Sequence, residues 1–122
     1  MATVQVRSSY ISVLERLGDV QTGVEEAIRR YTVEEVQRRI AELRARIRKW
    51  EEKYGCDYET FALRTATDEK YVARLNSEPE TQQWEADLFS WEYDLQELRE
   101  WEQQLQSILS ASLSDAKASL TR

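Results

Sequence analysis

Three polar side chains near the start of the chain could do chemistry on a flat ligand. Thr3, Gln5 and Arg7 alternate with Val4 and Val6. Alternation with period 2 puts Val4 and Val6 on one side of an extended segment and the three polar residues on the other. Gln can bond adenine and Arg guanine in two-point fashion, so a strand carrying both has the side chains that a major-groove reader needs. A strand also needs another strand to pair with, and the sequence offers no second one. The expected solution is the same strand from a second copy of the chain, paired as a two-stranded ribbon.

The elements that would hold this strand follow at once. Ser8-Ser9 is N-cap chemistry, Tyr10, Ile11, Leu14 and Leu17 fall at helical spacing, and Gly18 ends the run. Thr22 with Glu25 forms a capping box that opens a second helix, whose apolar stripe is Val24, Ala27, Ile28 and Tyr31. A helix opening there presents the backbone N–H groups of Thr22, Gly23 and Val24 to a phosphate. Residues 1–31 thus read as a dimerisation and DNA-binding module with Val4, Val6, Leu14, Leu17 and Ile28 as its shared core. Thr32 with Glu35 is a second capping box, at which the helix either restarts or runs on.

From Val33 the pattern is regular. Val33, Val36, Ile40, Leu43, Ile47, Trp50 and Tyr54 step by 3 and 4 in alternation, an a/d seam ended by Gly55. Residues 32–55 are therefore one long heptad helix. Residues 56–80 are an elbow of short helices, one capped by Asp57 and one by Thr67, closed by Asn76-Ser77-Glu78-Pro79. Residues 81–122 form a last long acidic helix with Trp84, Leu88, Trp91, Leu95, Leu98, Leu105 and Leu109 in register, a Ser- and Ala-rich fraying end, and Trp101 and Ile108 widening the stripe. The fold class expected is mainly α: a short N-terminal β-strand paired between copies, then a long antiparallel helical hairpin with short helices at its tip. Four tryptophans exceed what two helices can bury, so some are expected to face a partner.

Composition narrows the function. The net charge of −6 divides unevenly: residues 1–50 hold ten Lys/Arg against seven Asp/Glu, a net +3, and residues 51–122 hold seven against sixteen, a net −9. The acidic half suits a basic partner. There is no His, one Cys, and only Gly18, Gly23 and Gly55 to build a phosphate loop, so neither an imidazole base nor a zinc set nor a nucleotide loop is available. Asp57 beside Cys56 disfavours a thiolate. Glu85, Asp87, Glu92 and Asp94 could meet a divalent cation, but at this spacing most of them point to solvent. No enzyme, cofactor, metal or small-molecule substrate is expected. No apolar run reaches the ~20 residues of a membrane span and no secretory leader is seen, which makes a cytoplasmic location the expectation.

The run Thr3-Val4-Gln5-Val6-Arg7, with Leu14-Glu15-Arg16-Leu17-Gly18 and Val24-Glu25-Glu26-Ala27-Ile28-Arg29-Arg30-Tyr31, resembles a ribbon-helix-helix module. The blocks Lys53-Tyr54-Gly55-Cys56-Asp57-Tyr58-Glu59-Thr60-Phe61 and Trp84-Glu85-Ala86-Asp87-Leu88-Phe89-Ser90-Trp91-Glu92 are similar to antitoxins of bacterial and archaeal toxin–antitoxin gene pairs. That resemblance implies a homodimer that represses its own operon through Thr3, Gln5 and Arg7. It also implies a C-terminal part that neutralises a small basic toxin, of the TumE type, through Trp84, Asp87, Trp91, Glu92 and Trp101. The competing reading is a coiled-coil adaptor that binds only proteins.

Overall fold

A computed structural model describes the backbone of residues 3–120 and the side chains of residues 3–111. Five helices follow in order: α1 (Ser8–Leu17), α2 (Val20–Tyr54), α3 (Tyr58–Thr67), α4 (Glu69–Ser77) and α5 (Trp84–Leu120). Among the described residues there is no strand, which corrects the expected N-terminal β-strand: residues 3–7 lead into α1 without regular structure. The physical reason lies in the pairing rule. A ladder forms only between two extended segments, and every other apolar segment of this chain has helical period. The mainly α part of the expectation stands.

The chain divides into two compact units, one ending at Glu35 and the other beginning at Val36. Helix α2 contributes to both. It starts at Val20, two residues before Thr22, because Asp19 supplies the capping carboxylate: Thr22 donates to Asp19 Oδ2 from its backbone N at 2.9 Å and from its hydroxyl at 2.8 Å. It then passes through Thr32 unbroken. In the seam that follows, Val36, Ile40, Leu43 and Ile47 are all buried. Gly55, at φ +69°, accepts the left-handed turn that stops the helix, and its N–H bonds to the Glu51 carbonyl at 2.7 Å.

The elbow is built from local caps. Asp57 accepts from the backbone N of Thr60 at 2.8 Å and opens α3. Asp68, one residue after the expected Thr67, accepts from that of Tyr71 at 3.1 Å and opens α4. Helix α5 then returns beside α2, as the cross-helix bonds show. Lys53 and Tyr54 reach Asp87, Trp50 and Arg46 reach Asp94, and Arg44 reaches Glu102. Partners descend along α2 as they ascend along α5, so the two run antiparallel. No described helix is long and apolar enough to cross a membrane.

The seam makes a direct test. Ile40→Ala or Leu43→Ala should lose about 2–5 kcal/mol of stability in urea melts, by lost burial and the cavity left behind. Leu63→Ala, at a side chain 63% exposed, should stay within ~0.5 kcal/mol.

Candidate functional site

In the unit that begins at Val36, Asp94 is the only buried charged residue among those described, 1% exposed. Its two oxygens take the Arg46 guanidinium and the Trp50 indole N–H, the latter at 3.0 Å. One heptad earlier, Asp87 accepts from Lys53 Nζ at 2.7 Å and from the Tyr54 hydroxyl. Burial, with Asp87 adding to it, pushes the Tyr54 hydroxyl well above the ordinary tyrosine range. The charge division of the sequence is thereby closed in part inside the unit: Arg44, Arg46 and Lys53 of α2 are paired with acids of α5.

Beside these pairs sits an aromatic core. Phe61, Tyr71, Leu75, Trp84 and Trp91 are buried together, with Tyr54, Tyr58 and Leu88 against them. Phe61 lies 4.2 Å from the Tyr54 ring and 5.6 Å from that of Trp91, and Tyr58 meets Trp91 edge-on at 5.7 Å. Trp84 Nε1 donates to Asn76 Oδ1 at 2.8 Å. Trp91 Nε1 is buried with no acceptor. At the rim, burial raises the Cys56 thiol pKa, with Arg64 opposing and Asp57 reinforcing the shift.

The expected partner residues therefore separate. Trp84 and Trp91 are core, covered by α3 and α4 as well as α2, so the count of tryptophans needs no partner to explain it. Asp87 is spent on Lys53 and Tyr54. Of the five, Glu92 and Trp101 remain half-exposed. Glu92 borders a groove of about 680 Å³ between α2, the start of α3, and α5, whose apolar lining is Ile47, Trp91, Leu95 and Leu98. Of the four carboxylates, most of which were expected to point to solvent, Asp87 and Asp94 are cross-helix acceptors, and no cluster among the described residues could hold a metal ion.

The unit that ends at Glu35 has a different surface. Val4, Val6, Tyr10, Val13, Leu14, Val24, Ala27 and Ile28 line a groove of about 520 Å³ that carries no charged side chain. The expected shared core is open in a single chain: Val4 is 77% exposed and Leu17 79%, Val6 and Ile28 are exposed too, and only Leu14 is half-buried. Gly23 serves packing, since a Cβ there would lie 3.0 Å from Leu14 Cδ2.

The expected phosphate site is corrected by its own cap. Thr22 N–H is bonded to the Asp19 carboxylate and Gly23 N–H to the Asp19 carbonyl at 3.0 Å, while Val24 lies beyond the four N–H groups that a helix start leaves open. The bonds from Thr22 hold the Asp19 carboxyl below its usual range, so a negative charge already occupies this end. Thr3, Gln5 and Arg7 are exposed on a segment that is not a strand. No protein-family model, no curated protein and no solved structure matches this chain.

Asp94, grouped by sequence with acids of which most point to solvent, is instead the buried acceptor of the hairpin. Its signal was there: Asp87, Trp91, Asp94, Leu98, Trp101, Leu105 and Ile108 also step by 4 and 3, a second stripe sharing Trp91, Leu98 and Leu105 with the first. Two acids on that stripe, a heptad apart, face the basic and aromatic residues of α2.

Two outcomes follow from these pairs. Arg46→Met should cost about 3 kcal/mol, because it leaves Asp94 buried and short of its cation, whereas Arg44→Met at the exposed pair should cost ~0–1 kcal/mol. The Tyr54 contribution has a definite sign with pH. The folded pKa is raised, so its stabilisation is complete below the free tyrosine value of ~10 and is lost as pH climbs from there towards the folded value. Tyr54→Phe should be less stable than the parent at pH 7 by about 1.5 kcal/mol, and that gap should narrow above pH ~10 in denaturant melts.

Proposed function

We propose that this chain is a protein-binding protein that works as a homodimer, of the antitoxin type that its sequence resembles: one unit joins two copies and the other holds a small basic protein. The single observation behind it is the charge-free apolar groove of the unit ending at Glu35. Helix α1 has no buried residue, and the buried residues of α2 begin only at Val36. A segment of this size cannot close a core by itself and needs association to do so. Val4, Val6, Tyr10, Val13 and Ile28 line this groove and are all exposed, and a standard interface would cover ~800 Å² on each partner. Residues 3–31 carry four Arg and four Asp/Glu, so this unit neither repels a second copy nor selects a charged partner. A twofold arrangement, in which the same patch meets itself, is the commonest closed assembly.

Operator binding forms no part of this reading. Without a strand in residues 3–7, Thr3, Gln5 and Arg7 have no ribbon to present them, and Asp19 already occupies the helix end that a phosphate would take.

Light scattering checks the assembly. The parent should give twice the chain mass of 14.4 kDa, and Val13→Glu with Ile28→Glu should give the single mass while keeping the near-ultraviolet signature of the aromatic core. A parent that stays monomeric at high micromolar concentration would sink the dimer.

A further inference from the structure

We infer that the groove between α2, the start of α3, and α5 docks a basic amphipathic segment of another protein. This deepens the protein-binding reading above and does not need the dimer. The groove's floor is apolar, formed by Ile47, Trp91, Leu95 and Leu98, and five carboxylates border it against one cation, Arg99. Two of the five are spent: Asp57 caps α3 and Glu102 is paired with Arg44. Glu51, Glu59 and Glu92 have no ion-pair partner among the described residues. Three open acids around an apolar trough match a segment with Lys or Arg on its flanks and Leu-like residues on its central face.

A metal ion does not fit this surface, since no acid cluster among the described residues could hold one. A small polycation would satisfy the rim and leave the floor uncovered. The one buried side-chain donor without an acceptor among the described residues, Trp91 Nε1, belongs to a residue lining this groove. The second groove of the same two helices sets the contrast. Gln37, Ile40, Ala41, Leu105 and Gln106 line it, and its only charges, Arg44 and Glu102, are bonded to each other. It has shape without unsatisfied charge, so it supplies a control surface.

The test uses the full chain and a fluorescent helical peptide with a Leu face and Lys flanks, read by anisotropy at low salt. Glu59→Lys with Glu92→Lys should weaken binding about tenfold or more, and Leu98→Gln should weaken it too. Glu34→Lys with Glu80→Lys, an equal charge change away from the groove, should leave affinity within about twofold, as should Gln106→Lys in the second groove. A peptide of the same composition with its lysines scattered should bind more weakly, and spermidine should compete only poorly. Equal loss in the groove and control variants, equal binding of the scattered peptide, or no binding at low salt would each overturn the proposal. The monomeric Val13→Glu, Ile28→Glu variant should keep its affinity for the peptide. Peptide binding by that variant would uphold the groove whatever light scattering says of the dimer, and a dimeric parent that ignores the peptide would sink the groove alone.

Discussion

Asp94 holds Arg46 and Trp50 at once while almost wholly shielded from water, and the other cross-helix bonds lie about two turns to either side of it on α5. A buried carboxylate tolerates very few arrangements of its neighbours. An a/d seam of Val, Ile and Leu tolerates several, because sliding one helix by a heptad replaces one aliphatic contact with another. With Asp94 in place, a slide of that size would exchange Arg46 for Arg39 or Lys53 but set Leu43 or Asp57 in the place of Trp50, and neither of those side chains can donate to the second oxygen. The aliphatic seam buries Val36, Ile40, Leu43 and Ile47, and the Asp94 and Asp87 pairs select the register in which it is buried. Lys53 and Tyr54 at Asp87 repeat the requirement near the elbow, so both points along the hairpin must agree.

That register is what makes the elbow fit. Trp91 and Trp84 sit on α5 at the level where α3 and α4 close over the end of the hairpin, and Phe61 reaches both the Tyr54 and Trp91 rings. The caps bring it there. Gly55 stops α2, Asp57 starts α3 two residues later, and the tightness of that turn leaves the chain little freedom before Phe61. Aromatic rings have large area and few rotamers, so once the turn is set a well-packed cluster follows with little further loss of side-chain entropy. The cost is visible at one atom: Trp91 Nε1 has no acceptor, and a buried donor left so is worth about 1–3 kcal/mol.

What could be read from the sequence follows the range of each interaction. The seam from Val36 to Tyr54, the stop at Gly55 and the cap at Asp57 are set by residues within a turn or two, and all were legible. The capping box at Thr22 misled for a different reason. A box only offers to start a helix, and Asp19 had started this one already. The alternation of Val4 and Val6 misled because period 2 states which faces a strand would have and not whether another strand exists to pair with it. Asp94 was hidden by category: an acid between Trp91 and Leu98 reads as surface until the donors of α2 are set opposite it.

The two grooves ask for different things, and the difference is electrical. The groove lined by Val13 and Ile28 has no charged lining residue, and residues 3–31 are balanced between Arg and Asp/Glu. Covering it gains by area alone, and a charged partner would gain nothing extra there. The groove beside Glu92 has an apolar floor about as suitable for contact, but around it Glu51, Glu59 and Glu92 carry charges that the hairpin's own cations do not reach. Three of α2's cations are committed to Glu102, Asp94 and Asp87. The pairs that fix the register thus leave Glu51, Glu59 and Glu92 without an ion-pair partner among the described residues, so the two grooves differ in charge as well as in place.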